Sequence, residues 1–275
     1  GGRVLMQHKV SRFELHDGRV SAVRVDTPEG PTTIEGEHFI SSIPLRSLVR
    51  GLGSAAPPEA LAAANGLAYR DFILVALVIQ GEDLFPDNWI YIHTPGVKVG
   101  RIQNFNNWSK AMVPEAGRTC LGMEYFCFEG DGLWTSPDED LIALATREFA
   151  QLELAPGCKV IDGSVVRMPK AYPIYDASYR AHLDCVRDFI DAIPNLHTVG
   201  RNGMHKYNNQ DHSMYTAMLT VANMYGASHD VWSVNTDFEY HEEQKVEPER
   251  SEAELSPATV SIAAGEAPRD TEAVA

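Results

Sequence analysis

What this sequence lacks narrows it first. In 275 residues there is no apolar run of the roughly 18 residues that a membrane-spanning helix needs, and the longest, 72–79, has the length of a strand. There is no surplus of positive charge. The 23 Lys and Arg stand against 38 Asp and Glu, a net charge of −15. That balance argues against a nucleic-acid backbone or an anionic membrane as the main partner. Cysteine is scarce: Cys120, Cys127, Cys158 and Cys185, with no CxxC pair. This spacing points to free, buried or partly buried thiols in a reducing, cytoplasmic compartment rather than to a metal site. HExxH, GxSxG and GxxxxGKS/T are absent, so the zincin, α/β-hydrolase and P-loop readings lack their motifs. Gly51-Leu52-Gly53 imitates the start of a GxGxxG dinucleotide loop, but Ala56 holds the third position.

What is there is enough for a core: 44% of the residues are hydrophobic. Residues 4–15 read as a strand with a break near Gln7, and Asp17-Gly18 as the turn into a second strand over 20–25. In that strand Val20, Ala22 or Val23, and Val25 mark one buried face. A short extended piece at 32–34 follows. The run 38–44 reads as a strand buried on both faces and stopped by Pro44. An Ala-rich helix is expected over 57–67, then strands at 72–79, 89–93, 97–105 and 119–128, forming a mostly antiparallel sheet. Ser136-Pro137-Asp138-Glu139 predicts a helix start with Ser136 as N-cap, running to about Leu152. A strand at 159–168, an irregular aromatic stretch at 169–176 and a helix at 177–192 complete the middle. Residues 241–275 hold nine Asp and Glu against three Lys and Arg, a net of −6 that leaves −9 for 1–240. With no aromatic after Tyr240, this tail is expected to be disordered.

Residues 196–225 carry the densest signal. A short strand ends at Gly200, a polar loop runs from Arg201 to Ser213, and a helix follows. Asp211 is its expected N-cap and Met214, Met218, Val221, Ala222 and Tyr225 its apolar stripe. Strand, glycine turn and helix N-terminus together suit an anion or an electron-rich ring. Two further clusters are polar and aromatic. On a strand, Arg101, Gln103 and Phe105 share a face, and Arg101 could hold a phosphate or carboxylate or form a salt bridge. Tyr172 and Tyr175 suit a ring-shaped ligand or the packing of two domains. His197, His205 and His212 share no helical face and read as loop or core histidines rather than metal ligands.

The run Val-Gly-Arg-Asn-Gly-Met-His-Lys-Tyr-Asn-Asn-Gln-Asp-His-Ser-Met at 199–214 resembles the C-terminal flavin-binding motif of the flavin amine oxidase and protoporphyrinogen oxidase-like superfamily, which includes UDP-galactopyranose mutase. Upstream, Gly1-Gly2-Arg3-Val4 and the strand after it are similar to the family segment in which a Val, here Val10, meets the adenine. Residues 39–44 resemble the strand that returns from the family's small β-meander. Val99–Phe105 and Ala171-Tyr172-Pro173 resemble the mutase segments that hold the substrate diphosphate and carry a Tyr-Pro loop.

This resemblance implies a mixed α/β fold: the C-terminal part of a FAD-binding Rossmann-like domain (1–50 and 193–240) interrupted by a substrate-binding domain (51–192) with a mostly antiparallel sheet and helices. It implies FAD as cofactor, with Val10, Gly200, Arg201, Asn209, Gln210 and Asp211 on the cofactor side. A small-molecule substrate would meet Arg101, Tyr172, Tyr175 and Tyr207. The family's glycine-rich pyrophosphate loop would lie before Gly1, so residues 1–275 alone are expected to bind FAD weakly or not at all. The expected activity is hydride transfer from an organic substrate to flavin. One alternative is mutase-like, non-redox chemistry on a nucleotide sugar; another is a truncated, non-catalytic chain. Against the mutase motif Gly-Arg-x-x-x-Tyr-x-Tyr-x-Asp-Met, this sequence keeps Gly200, Arg201 and Tyr207. It has His205, Asn209 and Gln210 at the other three positions.

Overall fold

The computed structural model describes residues 2–235; the acidic tail expected over 241–275 lies outside them. Asp17 and Gly18 both take positive φ, 49° and 75°, the conformation of a two-residue hairpin turn that matches strand twist. They join β1 (Lys9–His16) to β2 (Arg19–Thr27), and β3 (Gly30–Glu35) pairs antiparallel along the other edge of β2. Gln7, at the expected break, has φ 57° and precedes β1. The pairing of β1 with β2 slips between Glu14 and Leu15, which face Ala22 and Val20 respectively. That bulge resets the alternation, so Val20 joins Val23 and Val25 in the core, and Ala22, opposite Glu14, is buried apart from them.

The chain then makes β4 (Phe39–Ser41), α1 (Leu45–Gly51) and α2 (Pro58–Gly66). β4 is not buried on both faces as its composition suggests: Ile40 is 43% exposed, and among the described residues β4 pairs only with one later strand. The helix α1 was not foreseen, although Leu45, Leu48, Val49 and Leu52, all buried, have helical spacing. These two helices pack with Phe13, Val20, Val25, Val186 and Ile190 into a first hydrophobic core.

A five-stranded antiparallel sheet follows, built from β5 (Tyr69–Gln80), β6 (Trp89–Tyr91), β7 (Arg101–Asn104), β8 (Arg118–Cys127) and β9 (Val160–Pro173) in the order β6-β7-β8-β5-β9. Alternation decides its two faces. Ile73, Val75, Leu77 and Ile79 of β5 point one way with Ile102, Leu121, Met123 and Tyr125. They form a second core against α4 (Asp138–Gln151), which contributes Leu141, Ala145 and Phe149. The short α3 (Phe105–Trp108) links β7 towards β8, its Phe105 ring covering Gly122, where any side chain would clash. Ser136 does not cap α4. Its hydroxyl donates to the Gly132 carbonyl at 2.6 Å, because the preceding turn offers a nearer acceptor. Residues 169–173, expected to be irregular, extend β9.

The last elements are α5 (Tyr179–Asp191), β10 (Leu196–Thr198), which pairs parallel with β4, α6 (Gly200–Gly203) and α7 (Gln210–Met224). The expected apolar stripe of α7 faces the wrong way for a core. Met214 and Met218 are 67% and 66% exposed and Tyr225 is 89% exposed, while the buried side chains are Thr216 and Thr220. The reason is local: Thr216 Oγ1 accepts from the Gly200 amide at 3.2 Å, and a small hydroxyl fits that turn where Met would not. No helix among the described residues is long and apolar enough to cross a membrane.

This assignment of faces has a simple consequence. Leu77→Ala, in the second core, should cost about 2–5 kcal/mol of stability, whereas Met218→Ala should cost less than about 0.5 kcal/mol. Urea unfolding midpoints of the two variants would decide it, and a Met218 effect as large as that of Leu77 would reverse the assignment.

Candidate functional site

The face of the five-stranded sheet opposite α4 carries the polar chemistry. Cross-strand register lines up one row across it: Tyr91 opposite Arg101, Arg101 opposite Glu124, Glu124 opposite Leu74, and Leu74 opposite Val166. Neighbouring positions place Trp89, Gln103, Phe126 and Phe72 on the same face. Arg101 therefore meets Glu124 directly, with Nε donating at 2.7 Å and Nη2 at 2.6 Å from Oε2. Gln103 donates to the other carboxylate oxygen. The arginine side chain is 13% exposed and the glutamate 0%, so this is a buried pair, not a surface salt bridge. Burial works against the charge of Arg101, but Glu124 and Tyr172 outweigh it and hold the guanidinium above its ordinary pKa. The Arg101 guanidinium carbon also sits 5.8 Å from the Trp89 and Tyr91 ring centroids and 5.9 Å from that of Phe126.

Tyr172 reaches this row through a kink in β9. Lys170 takes φ 55°, and the buried carboxylate of Asp71 accepts from its backbone N–H at 2.5 Å and from that of Glu129 at 2.6 Å. Past the kink, Tyr172 lies opposite Arg70 of β5, and its hydroxyl accepts from Arg101 Nη2 at 2.7 Å. Asp71 and Glu124 are the residues the sequence did not single out. Their signal was available: Glu124 is the lone acid in the apolar run 120–127, and Asp71 directly precedes the apolar run 72–79.

The second half of the site comes from residues 200–211. Gly200 has φ 76°, which only glycine takes without strain. A Cβ on Gly203 would lie 2.6 Å from the Ser41 carbonyl oxygen, so α6 can approach β4 only because that residue is glycine. This close approach fixes where the following polar loop starts. From it Arg201 reaches back to the sheet: its guanidinium carbon is 4.8 Å from the ring centroids of both Tyr172 and Tyr207, which stack at 5.6 Å. Arg201 also donates to the Asn208 carbonyl at 2.9 Å and the Ala171 carbonyl at 3.3 Å. The Tyr207 amide donates to the Tyr175 hydroxyl at 2.6 Å. Burial, partly offset by that amide, lifts the Tyr175 phenol to about 12.

Of the residues expected on the substrate side, Arg101, Tyr172, Tyr175 and Tyr207 thus come together, and Arg201, expected on the cofactor side, joins them. Asn209, Gln210 and Asp211 lie at the exposed start of α7. Asp211 is not its N-cap. That position is Asn209, whose amide donates to His212 Nδ1 at 3.3 Å. Val10 lies apart from the cluster, in the wall of a cavity of about 350 Å³ with Phe13, Ile34, Phe39, Ile40 and Ile43. His205 is fully buried at φ 46°, with its ring edge-on to Tyr69 at 4.8 Å. It packs under the site and does not open onto it. His197 pairs with His38 at 3.2 Å beside a second cavity of about 220 Å³. Among the described residues no group of three or more His, Cys, Asp or Glu is placed to hold a metal ion.

No protein-family model matches the chain, and no curated protein matches its sequence. Its fold does have solved counterparts. A reduced UDP-galactopyranose mutase superposes over 84% of this chain and 48% of its own, with a TM-score of 0.68 and 19% identity. A protein from Exiguobacterium sp. 255-15 assigned as a protoporphyrinogen oxidase superposes over 79% of this chain and 47% of its own, with a TM-score of 0.55 and 14% identity. The PF1083 protein from Pyrococcus furiosus reaches 0.50 at 14% identity, over 82% of this chain and 48% of its own. The chain therefore has the mixed α/β fold of these proteins and spans about half their length. The superfamily resemblance carried by residues 199–214 agrees with these matches at the level of fold.

His205 supplies a pH test of the packing beneath the site. Burial holds its pKa down to about 4 against 6.5 for the free ring. The unfolded chain takes up this proton near 6.5 and the folded chain only near 4, so the stabilising contribution is present above 6.5 and is lost as pH falls through that window. The loss amounts to about 3 kcal/mol. Urea midpoints between pH 7 and 4 should show a flatter acid slope for His205→Leu than for wild type; parallel slopes would mean that His205 is not buried and neutral.

Proposed function

We propose that this chain supplies the substrate-side wall and the flavin-facing helix of a FAD-dependent oxidoreductase. The observation that carries this reading is the convergence of Tyr172, Arg201 and Tyr207 just before the exposed N-terminus of α7. In a polypeptide that joins residues 1–275 to the phosphate-binding part of a flavin domain, Gly200, Arg201, Asn209, Gln210 and Asp211 would border the flavin ring. Val10 would border the adenine in the cavity beside β4.

The residues present fit such a group on two counts. α7 is 15 residues long and its first turn is exposed, so its positive end favours negative charge developing beside it. Near the junction of α6 with β4, Ser41 Oγ and Asn202 Oδ1 are buried with no hydrogen-bond partner among the described residues, as expected of groups that serve a ligand. When bound, the flavin would supply the hydride-accepting chemistry. The protein's own part is position and field. The exposed Trp89 and Tyr91 rings and the half-buried Phe126 and Tyr207 rings offer flat area to an organic substrate such as an amine, a porphyrin or a polyene, with the buried Tyr172 ring stacked against Tyr207 as support. Asp71 holds Tyr172 in place through Lys170, and Tyr175 holds Tyr207 through its amide. The domain division at residues 50 and 193 belongs to the same proposal.

A mutase-like reaction on a nucleotide sugar is the second reading, favoured by the Arg101–Tyr172 contact and the higher TM-score of the mutase match. Against it stand Glu124, which occupies Arg101, and the burial of His205 where the mutase motif has Tyr.

The two readings part in one anaerobic experiment on the joined polypeptide. A hydride-donating substrate should bleach the flavin absorbance, and Arg201→Ala should slow that bleaching about tenfold or more, equivalent to about 1.4 kcal/mol. Conversion of UDP-galactose by the reduced protein, with no substrate able to bleach the flavin, would establish the mutase reading instead.

A further inference from the structure

Glu124 is the sole acid of β8 and is fully buried between Met123 and Tyr125. Both of its oxygens are engaged, Oε2 by Arg101 at 2.6 and 2.7 Å and Oε1 by Gln103. A carboxylate so placed does two things. It neutralises the Arg101 guanidinium, and it is too fully hydrogen-bonded to accept a substrate proton. We propose that Glu124 is a specificity-determining residue that tunes this face to a flat, uncharged organic substrate and against phosphorylated ones. The inference rests on the proposed reading that the sheet face receives the substrate, and it names the class that substrate belongs to.

The physical case is one of charge and surface. A phosphate approaching the Arg101 guanidinium comes within a few ångströms of the Glu124 carboxylate as well, and the two interactions oppose each other. Arginine binds phosphate by offering a fork of donors, but two Arg101 donor nitrogens are already spent on Glu124 and one of these also serves the Tyr172 hydroxyl. The remaining surroundings are ring faces: Trp89, Tyr91 and Phe126 around Arg101, and Tyr172 against Tyr207. Ring faces reward flat apolar area and leave a phosphate only the neutral Tyr hydroxyls and the Trp89 indole N–H as donors. Arg201 differs. Among the described residues it is held by carbonyls and ring faces and by no carboxylate. Its charge is uncompensated, on the side of the site next to α7. The two arginines are thus a neutralised one under the substrate face and a charged one at the helix.

The test needs no flavin, so its failure and the failure of the redox reading are seen separately. Inorganic pyrophosphate and UDP are titrated into the 275-residue protein, followed by calorimetry and by tryptophan fluorescence, for which Trp89 lies 5.8 Å from Arg101. The wild type should show no saturable binding that depends on Arg101, and Glu124→Gln should bind pyrophosphate at least about tenfold more tightly. Should the exposed charge of Arg101 leave Glu124→Gln poorly folded, its melting temperature should rise with pyrophosphate concentration where that of the wild type does not. Two results overturn the proposal. One is wild-type binding that Arg101→Gln removes and Arg201→Gln leaves intact. The other is a Glu124→Gln protein that responds to pyrophosphate no differently from wild type.

Discussion

The contact of the Arg201 guanidinium with the rings of Tyr172 and Tyr207 joins the large antiparallel sheet to the glycine turn that starts α6. A half-buried guanidinium against two rings contributes about 1–2 kcal/mol. Its two carbonyl acceptors, on Ala171 and Asn208, lie one on each side of that joint. Several local choices exist to make the contact possible. Gly200 bends the chain out of β10, and Gly203 lets α6 pass within reach of β4. On the other side Asp71 fixes the left-handed Lys170, and the kink carries Tyr172 across β5.

The second constraint is electrostatic. Arg101 and Glu124 are both withdrawn from water, and such a pair is seldom a net source of stability, whereas losing one partner typically costs about 3–5 kcal/mol. A pair of this kind persists where it fixes a geometry or sets a charge. Here it does both: it orients the Arg101 fork toward the Tyr172 hydroxyl, and it neutralises Arg101 at the place where rings gather. The charge that remains, on Arg201, sits beside a helix N-terminus. That end of the molecule suits an anionic or electron-rich group, and the sheet face suits a flat neutral one.

Much of this was legible in the sequence, and the failures share a cause. Asp17-Gly18 dictates its hairpin because the turn needs two positive φ angles that few residue pairs accept. β5 was legible because 72–79 is a continuous apolar run of strand length, and the strand extends it to Tyr69–Gln80. Arg101, Tyr172, Tyr175 and Tyr207 could be picked out singly because polar and aromatic residues in strand and loop runs are locally conspicuous. What brings them together is register and kink, and neither is local. Glu124 faces Arg101 across 23 residues of chain, and Asp71 acts on Lys170 across 99. The helix α7 misled for the opposite reason. Its Met and Tyr spacing is a sound helical stripe, but a buried helix face is decided by what lies opposite, and a glycine turn with a free amide takes threonine.

The measurement that bears most directly on this account is a crystal structure, with flavin bound, of the polypeptide that joins residues 1–275 to the phosphate-binding part of a flavin domain. The flavin ring should lie at the N-terminus of α7, within contact of Asn209, Gln210 or Asp211, with the Tyr172–Tyr207 stack and the Arg101 row on its substrate side. A ring bound away from α7, leaving the Tyr172, Arg201 and Tyr207 cluster without contact to flavin or substrate, would contradict it.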